Sequence, residues 1–198
     1  MDYFSRKITG ERVYLRLLTS EDAADYLNYL VRNKDFHEPF SPVRNHSYYT
    51  TANAIHIVNQ RDRVISDQQY LFGIFDKATD SLAGKVTLSG IVRGAFQSCF
   101  LGYDIDRDLK DLGYTTEAIR LITSFALYSL HFHRLQASIM PRNLASQKVV
   151  EKAGFIREGY AENYLNINGH WEDHYIYSIT LERYERLPMV FKRQASIE

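Results

Sequence analysis

Apolar and polar positions alternate with period two over 12–18 (RVYLRLL), which predicts a half-buried strand. Thr19 or Ser20 then caps a helix over 20–33, with Glu21 and Asp22 near the positive end of its dipole. Regularity breaks over 34–50 (KDFHEPFSPVRNHSYYT), which holds Pro39 and Pro42, and resumes in a second helix over 51–65. Two strands, 70–75 (YLFGIF) and 82–91 (LAGKVTLSGI), flank the turn residues DKATDS and form a hairpin. A strand at 98–105 (SCFLGYDI) leads through DRDLKDLG into a helix over 114–130, apolar at Ala118, Leu121, Ile122, Phe125 and Ala126. Residues 134–140 read as a strand and 143–153 as a helix started by Asn143 and closed by Gly154. The last two strands are 156–166 and 171–180.

The order β-α-α-β-β-β-α-β-α-β-β is that of a mixed α/β domain with seven strands and four helices. The strand–helix–strand unit over 98–140 implies a parallel pair joined by a right-handed crossover. A chain of 198 residues supports one sizeable core and is too short for two comfortable domains, so residues 1–198 are predicted to form one.

Charge narrows the function classes. Lys plus Arg and Asp plus Glu number 24 each, which leaves no basic footprint for nucleic acid. The single cysteine, Cys99, has no intramolecular partner, which fits a reducing compartment. No apolar run approaches the roughly 18–20 residues of a membrane span, and the N-terminal stretch lacks a signal-length apolar segment. The expectation is a cytoplasmic protein with no membrane partner. The seven histidines show no metal-ligand spacing, so no metal is expected.

One segment carries candidate chemistry. Gly113 precedes a helix that begins Tyr114-Thr115-Thr116, and the free amides of such a first turn can hold an anion. A glycine turn and helix start with no ligand would look the same locally.

The two segments LGYDIDRDLKDLGYTTEA and LQASIMPRNLASQKVVEKAGFIREG together resemble the GNAT superfamily, and within it the ribosomal-protein alanine N-acetyltransferases of the RimJ/RimL type. The second segment matches that branch at Asn143, Ser146, Glu151, Lys152, Gly154, Phe155, Glu158 and Gly159, and the resemblance spans about residues 8–183. It implies a strongly twisted mixed sheet of about seven strands flanked by about four helices, in which strands 98–105 and 134–140 splay apart. It further implies an N-acetyltransferase that moves an acetyl group from acetyl-CoA onto a primary amine through a ternary complex. The acceptor is a protein N-terminus or a small-molecule amine. The rival is a non-catalytic acyl-CoA-binding or sensory module on the same fold. A homodimer is possible by analogy with relatives.

By the same resemblance, acetyl-CoA contacts Tyr103, Asp104 and Ile105 on the strand. It also contacts Lys110, Leu112, Gly113, Tyr114, Thr115 and Thr116 at the loop and helix start, and Asn143 and Ser146 beyond. Asp108 and Asp111 depart from the branch, standing where Gln or Arg and Gly are usual. Two carboxylates there would repel a pyrophosphate, with Arg107 and Lys110 offsetting them in part. Val150 occupies the position of the superfamily's tyrosine acid, which leaves the Ser146 hydroxyl to serve the departing sulfur. The general base is open among Glu162, Glu172, Asp173 and His174 on or beside the final hairpin, Glu38 in the irregular segment, and a water chain ending on no single residue, because Leu165 stands at the branch's carboxylate position. Residues 36–49 are expected to cover the acceptor pocket.

Overall fold

The computed structural model describes residues 3–189, 191–192 and 196–197. The predicted strands are present: β2 (Val13–Leu17), β3 (Tyr70–Asp76), β4 (Leu82–Val92), β5 (Ser98–Ile105), β6 (Arg134–Ile139), β7 (Ile156–Ile167) and β8 (His170–Thr180). Two-residue strands β1 (Ile8–Thr9) and β9 (Ser196–Ile197) extend one edge, giving the order β7-β8-β6-β5-β4-β3-β2-β1-β9. Their apolar periods are too short to register as strands, so seven predicted strands become nine among the described residues.

The helices outnumber the expected four: α1 (Ala23–Arg32), α2 (Lys34–His37), α3 (Thr51–Val58), α4 (Arg61–Ile65), α5 (Tyr114–Tyr128), α6 (Leu144–Lys152) and α7 (Leu181–Arg186). The helix predicted over 51–65 is split because Asn59 leaves helical geometry at ψ 77. Gln60 then turns inward. Its amide donates to Leu18 O at 2.9 Å and Leu71 O at 2.7 Å, and its carbonyl accepts from the Leu71 N–H at 2.7 Å. That plug gives partners to the Leu18 carbonyl and the Leu71 N–H beside β2 and β3, and adds a second donor to Leu71 O, which also accepts from the Leu18 N–H at 3.0 Å.

The sheet separates two apolar clusters. Val13, Leu15 and Leu17 of β2 join Phe72 and Ile74 of β3 beneath α5, while Tyr14, Leu18, Leu71 and Phe75 pack with α1 and α3 on the other face. The half-buried reading of β2 therefore needs correction, since both faces are covered. Arg16 is accommodated by Asp22, at 2.6 and 2.8 Å, and by the Phe75 ring, 4.2 Å from its guanidinium carbon.

The feature that shapes the site is where pairing stops. β5 and β6 run parallel for three residues, Ser98–Phe100 against Arg134–Gln136, and then diverge. β5 continues along β4 as far as Ile105, and β6 continues along β8 as far as Ile139. The predicted splay is thus a gap between the C-terminal halves of two adjacent strands.

Candidate functional site

At one end of the gap β5 runs into a turn that ends on α5. Buried Asp106 shapes it, accepting from the Asp108 N–H at 3.1 Å and from Asn33 Nδ2 at 3.1 Å, and pairing with Arg32. Burial pushes the Asp106 carboxyl up, but the Asp108 N–H, Arg32 and Asn33 together hold it below its usual value. Asp111 adopts φ +64 and Gly113 φ +85, both left-handed. Among residues with a Cβ, Asp is one of the few that tolerates that region, which explains how it can replace glycine at 111.

The α5 ladder begins with the Glu117 N–H on Gly113 O, at 3.1 Å, so the amides of Tyr114, Thr115 and Thr116 have no intrahelical acceptor. Lys110 and Leu112 are exposed beside them, while Thr115 and Thr116 are half-buried. The Tyr114 hydroxyl points elsewhere, donating to Asp76 at 3.1 Å. Arg12 reaches the loop from the start of β2 and donates to Leu112 O at 2.6 Å. Its own N–H donates to buried Glu117 at 3.0 Å, as does that of Glu11. Sequence reasoning missed this clamp, because its halves lie about a hundred residues apart and no local pattern joins them.

Beside the gap stands α6. Asn143 caps it as expected, accepting the Ser146 N–H at 3.1 Å, and Gly154 closes it at φ +94. A Cβ on Gly154 would meet Leu187 Cδ1 at 2.3 Å and force that side chain to shift, and the left-handed φ would strain the substituted residue besides. The Ser146 hydroxyl lies 2.7 Å from the Tyr103 hydroxyl, which also reaches Ser146 O at 3.0 Å. Burial drives the Tyr103 phenol far above its ordinary pKa, against the opposing bond from Ser146, so it stays protonated. Val150 is fully buried and supplies no hydroxyl.

Asp104 follows Tyr103 on β5 and therefore faces the opposite side of the sheet. It ion-pairs with Lys85 of β4 at 3.3 Å and accepts from Tyr29 of α1 at 2.5 Å. Burial opposes the Lys85 charge, but Asp104 outweighs it and keeps the lysine protonated. The pair lies against a cavity of about 40 Å³ whose other walls include Lys34, His37, Glu38 and Arg44. His37 Nε2 lies 2.9 Å from Ile105 O, which fixes this wall to the end of β5. The wall also ties to the β7–β8 turn through the Asn168 N–H on Ser41 O at 2.9 Å.

The base candidates are not gathered. Glu38 lines the cavity, Glu162 is exposed on β7, and Asp173 of β8 is engaged. Asp173 accepts from the Tyr160 hydroxyl and from the Asn163 N–H at 2.8 Å, and the Tyr160 bond first among these holds it below its usual value. Among the described residues no cluster of three or more His, Cys, Asp or Glu is arranged to hold a metal. Among the described residues, too, no helix is long and apolar enough to cross a membrane.

A strand gap thus has the free amides of a helix start at one end, paired hydroxyls on one face and a charged cavity on the other, a layout with room for an anionic cofactor and a second substrate. The family model of the acetyltransferase (GNAT) domain matches residues 12–156. A probable N-acetyltransferase, YjcK of Bacillus subtilis, is 42% identical over 87% of this chain and 96% of its own. The ribosomal protein uS5-alanine N-acetyltransferase of Escherichia coli is 31% identical over 88% of this chain and 90% of its own. The crystal structure of the ribosomal-protein-S5-alanine acetyltransferase of Vibrio fischeri superposes with a TM-score of 0.83 at 31% identity, covering 88% of this chain and 96% of that one. The chain belongs to the GNAT acetyltransferase family. It is an N-acetyltransferase that takes its acetyl group from acetyl-CoA and delivers it to an amine.

Proposed function

We propose that the acceptor is the N-terminal α-amine of a protein, of the ribosomal-protein kind on which the uS5-alanine relatives act. The pantetheine arm lies in the gap beside Tyr103, Asp104 and Ile105. The pyrophosphate rests on Lys110, Leu112, Gly113 and the first-turn amides of Tyr114, Thr115 and Thr116. Asn143 both caps α6 and contacts the arm. The observation that carries this placement of the cofactor is the early end of β5–β6 pairing, which opens a slot between the anion-ready turn and Ser146, and the acceptor rests on the uS5-alanine relative.

Attack by the amine nitrogen forms the C–N bond and breaks the C–S bond, leaving the electron pair on sulfur. The oxyanion of the tetrahedral intermediate is met by a backbone N–H of Tyr103–Ile105. Ser146 donates a hydrogen bond to the departing thiolate, and the proton that the nitrogen loses equals the one that the sulfur finally gains. A free amine of ordinary pKa, about 10, is mostly protonated at neutral pH and must shed that proton first. Glu38 is the preferred base because it lines the cavity on the acceptor face, whereas Asp173 is held as a weakly basic anion. Glu162 on the neighbouring hairpin is the second choice. Such an acceptor places the enzyme in the cytoplasm. The exposed aromatics of β7 and β8, such as Tyr160 and Trp171, would suit a homodimer contact.

The test is an acceptor panel of alanine-initiated peptides, polyamines and free amino acids, run on wild type and on Ser146→Ala. The expected result is turnover on peptides above all others. Ser146→Ala should lower kcat by about 100-fold, the low end of the range for a general acid, with CoA affinity unchanged. Preference for a polyamine would overturn the acceptor assignment, and wild-type turnover in Ser146→Ala would remove the serine from the chemistry.

A further inference from the structure

The Tyr103 side chain has a geometry that packing alone does not require. It leaves β5 on the α6 side and brings its hydroxyl to 2.7 Å from Ser146 Oγ and 3.0 Å from Ser146 O, across 43 residues of sequence. A phenol has one hydrogen to give. If that hydrogen goes to the carbonyl, Ser146 must turn its own hydrogen back to the phenol oxygen and has none to offer the gap. If it goes to Ser146 Oγ, the serine hydrogen is released to point outward. The two arrangements differ only in hydroxyl rotation, and an anion in the gap selects the second. The 2.7 Å contact has the usual length of an O–H···O bond, and the carbonyl contact is the longer of the two.

We propose that Tyr103 is a positioning residue for acetyl transfer, whose phenol donates to Ser146 Oγ and so turns the serine hydrogen onto the sulfur of CoA. This rests on the reading of Ser146 as the group that meets the thiolate. Tyr103 keeps its proton throughout. An alkyl thiolate and a phenolate are bases of similar strength, and burial raises the Tyr103 phenol, which holds its proton on the ring oxygen. The phenol therefore acts as a fixed donor, and the proton balance between amine and sulfur is untouched.

A double-mutant cycle on kcat and on KM for acetyl-CoA tests this, using Tyr103→Phe, Ser146→Ala and the pair. Tyr103→Phe keeps the ring and its packing and removes only the hydroxyl. It should lower kcat about tenfold and leave KM for acetyl-CoA within about twofold, while the pair should be no slower than Ser146→Ala alone. Wild-type kcat in Tyr103→Phe beside a slow Ser146→Ala would overturn the proposal and leave the serine reading standing. So would additive losses in the pair, or a raised KM and lowered melting temperature at unchanged kcat, which is the signature of packing. Wild-type kcat in Ser146→Ala would defeat the serine reading itself, and the proposal with it.

Discussion

Asp111 combines two costs at one residue. Its backbone sits at φ +64, and its carboxylate is exposed beside the turn proposed to hold the pyrophosphate. The left-handed region costs a residue with a Cβ roughly 1 kcal/mol, somewhat less for Asp. Asp111→Gly should therefore raise the melting temperature by about 2–4 °C, as expected for about 1 kcal/mol in a domain of this size. It should also lower the Kd for CoA severalfold. An unchanged Kd by calorimetry would mean that the carboxylate points into solvent at no expense to the anion. Arg12 works in the opposite sense, since its guanidinium on Leu112 O braces the same turn and brings positive charge to it. Arg12→Ala should weaken CoA binding about fivefold, consistent with the roughly 1 kcal/mol of one hydrogen bond, without altering KM for the amine. A change confined to the amine would place Arg12 outside the anion site. These residues show what a sequence can and cannot say. The departure at Asp111 is visible by comparison with the branch pattern, but the φ that permits it is not. Arg12 has no motif at all, because its partner is brought to it only by the fold.

At the scale of elements, the apolar period set strands and helices close to their observed bounds, with 98–105 reproduced as Ser98–Ile105. Failures fell where a polar side chain serves a neighbouring element, as Gln60 does in splitting α3 from α4. The same principle governs the start of α1. Asp22 accepts from the Thr19 N–H at 2.8 Å, the reciprocal half of a capping box, and also holds Arg16 at two points. Burial pushes the Asp22 carboxyl up, but the Arg16 and Thr19 bonds together hold it below its usual value. A carboxylate depressed on folding stabilises the native state above its unfolded pKa, near about 3.9, and loses that contribution as pH falls through its folded value. Asp22→Asn should cost about 2 kcal/mol at pH 7, from a weakened cap and an unpaired Arg16. It should also flatten the acid limb of the stability curve below about pH 4. Urea melts across pH would read both, and an acid limb as steep as wild type would show that other carboxylates carry it. Because α1 delivers Tyr29, Arg32 and Asn33 to the end of β5, the same variant should loosen the turn that follows it.

Across the whole molecule, the sheet divides labour between its faces at two consecutive residues. Tyr103 turns toward α6 and the proposed thioester, and Asp104 turns toward the cavity beneath α1 and the segment over 34–49. Cofactor and amine would then approach from opposite sides and meet where β5 and β6 part. If the gap contributes to binding, affinity must depend on the pantetheine arm and not only on the phosphates at the turn. Saturation at about 100 times Kd adds roughly 2.7 kcal/mol to stability. For a domain of 150–250 residues that corresponds to a rise in melting temperature of roughly 5–10 °C. Acetyl-CoA should produce such a rise, and an adenine nucleotide with the same phosphates but no pantetheine should produce a clearly smaller one at equal concentration. Equal rises would confine binding to the turn over Arg107–Gly113 and leave the strand gap without a ligand. Tyr103 and Ser146 would then lie beside an empty slot, and the two-faced arrangement would be packing. A larger rise with acetyl-CoA would instead tie the parting of two strands to the seat of the thioester, where the Ser146 hydroxyl, turned by Tyr103, would meet its sulfur.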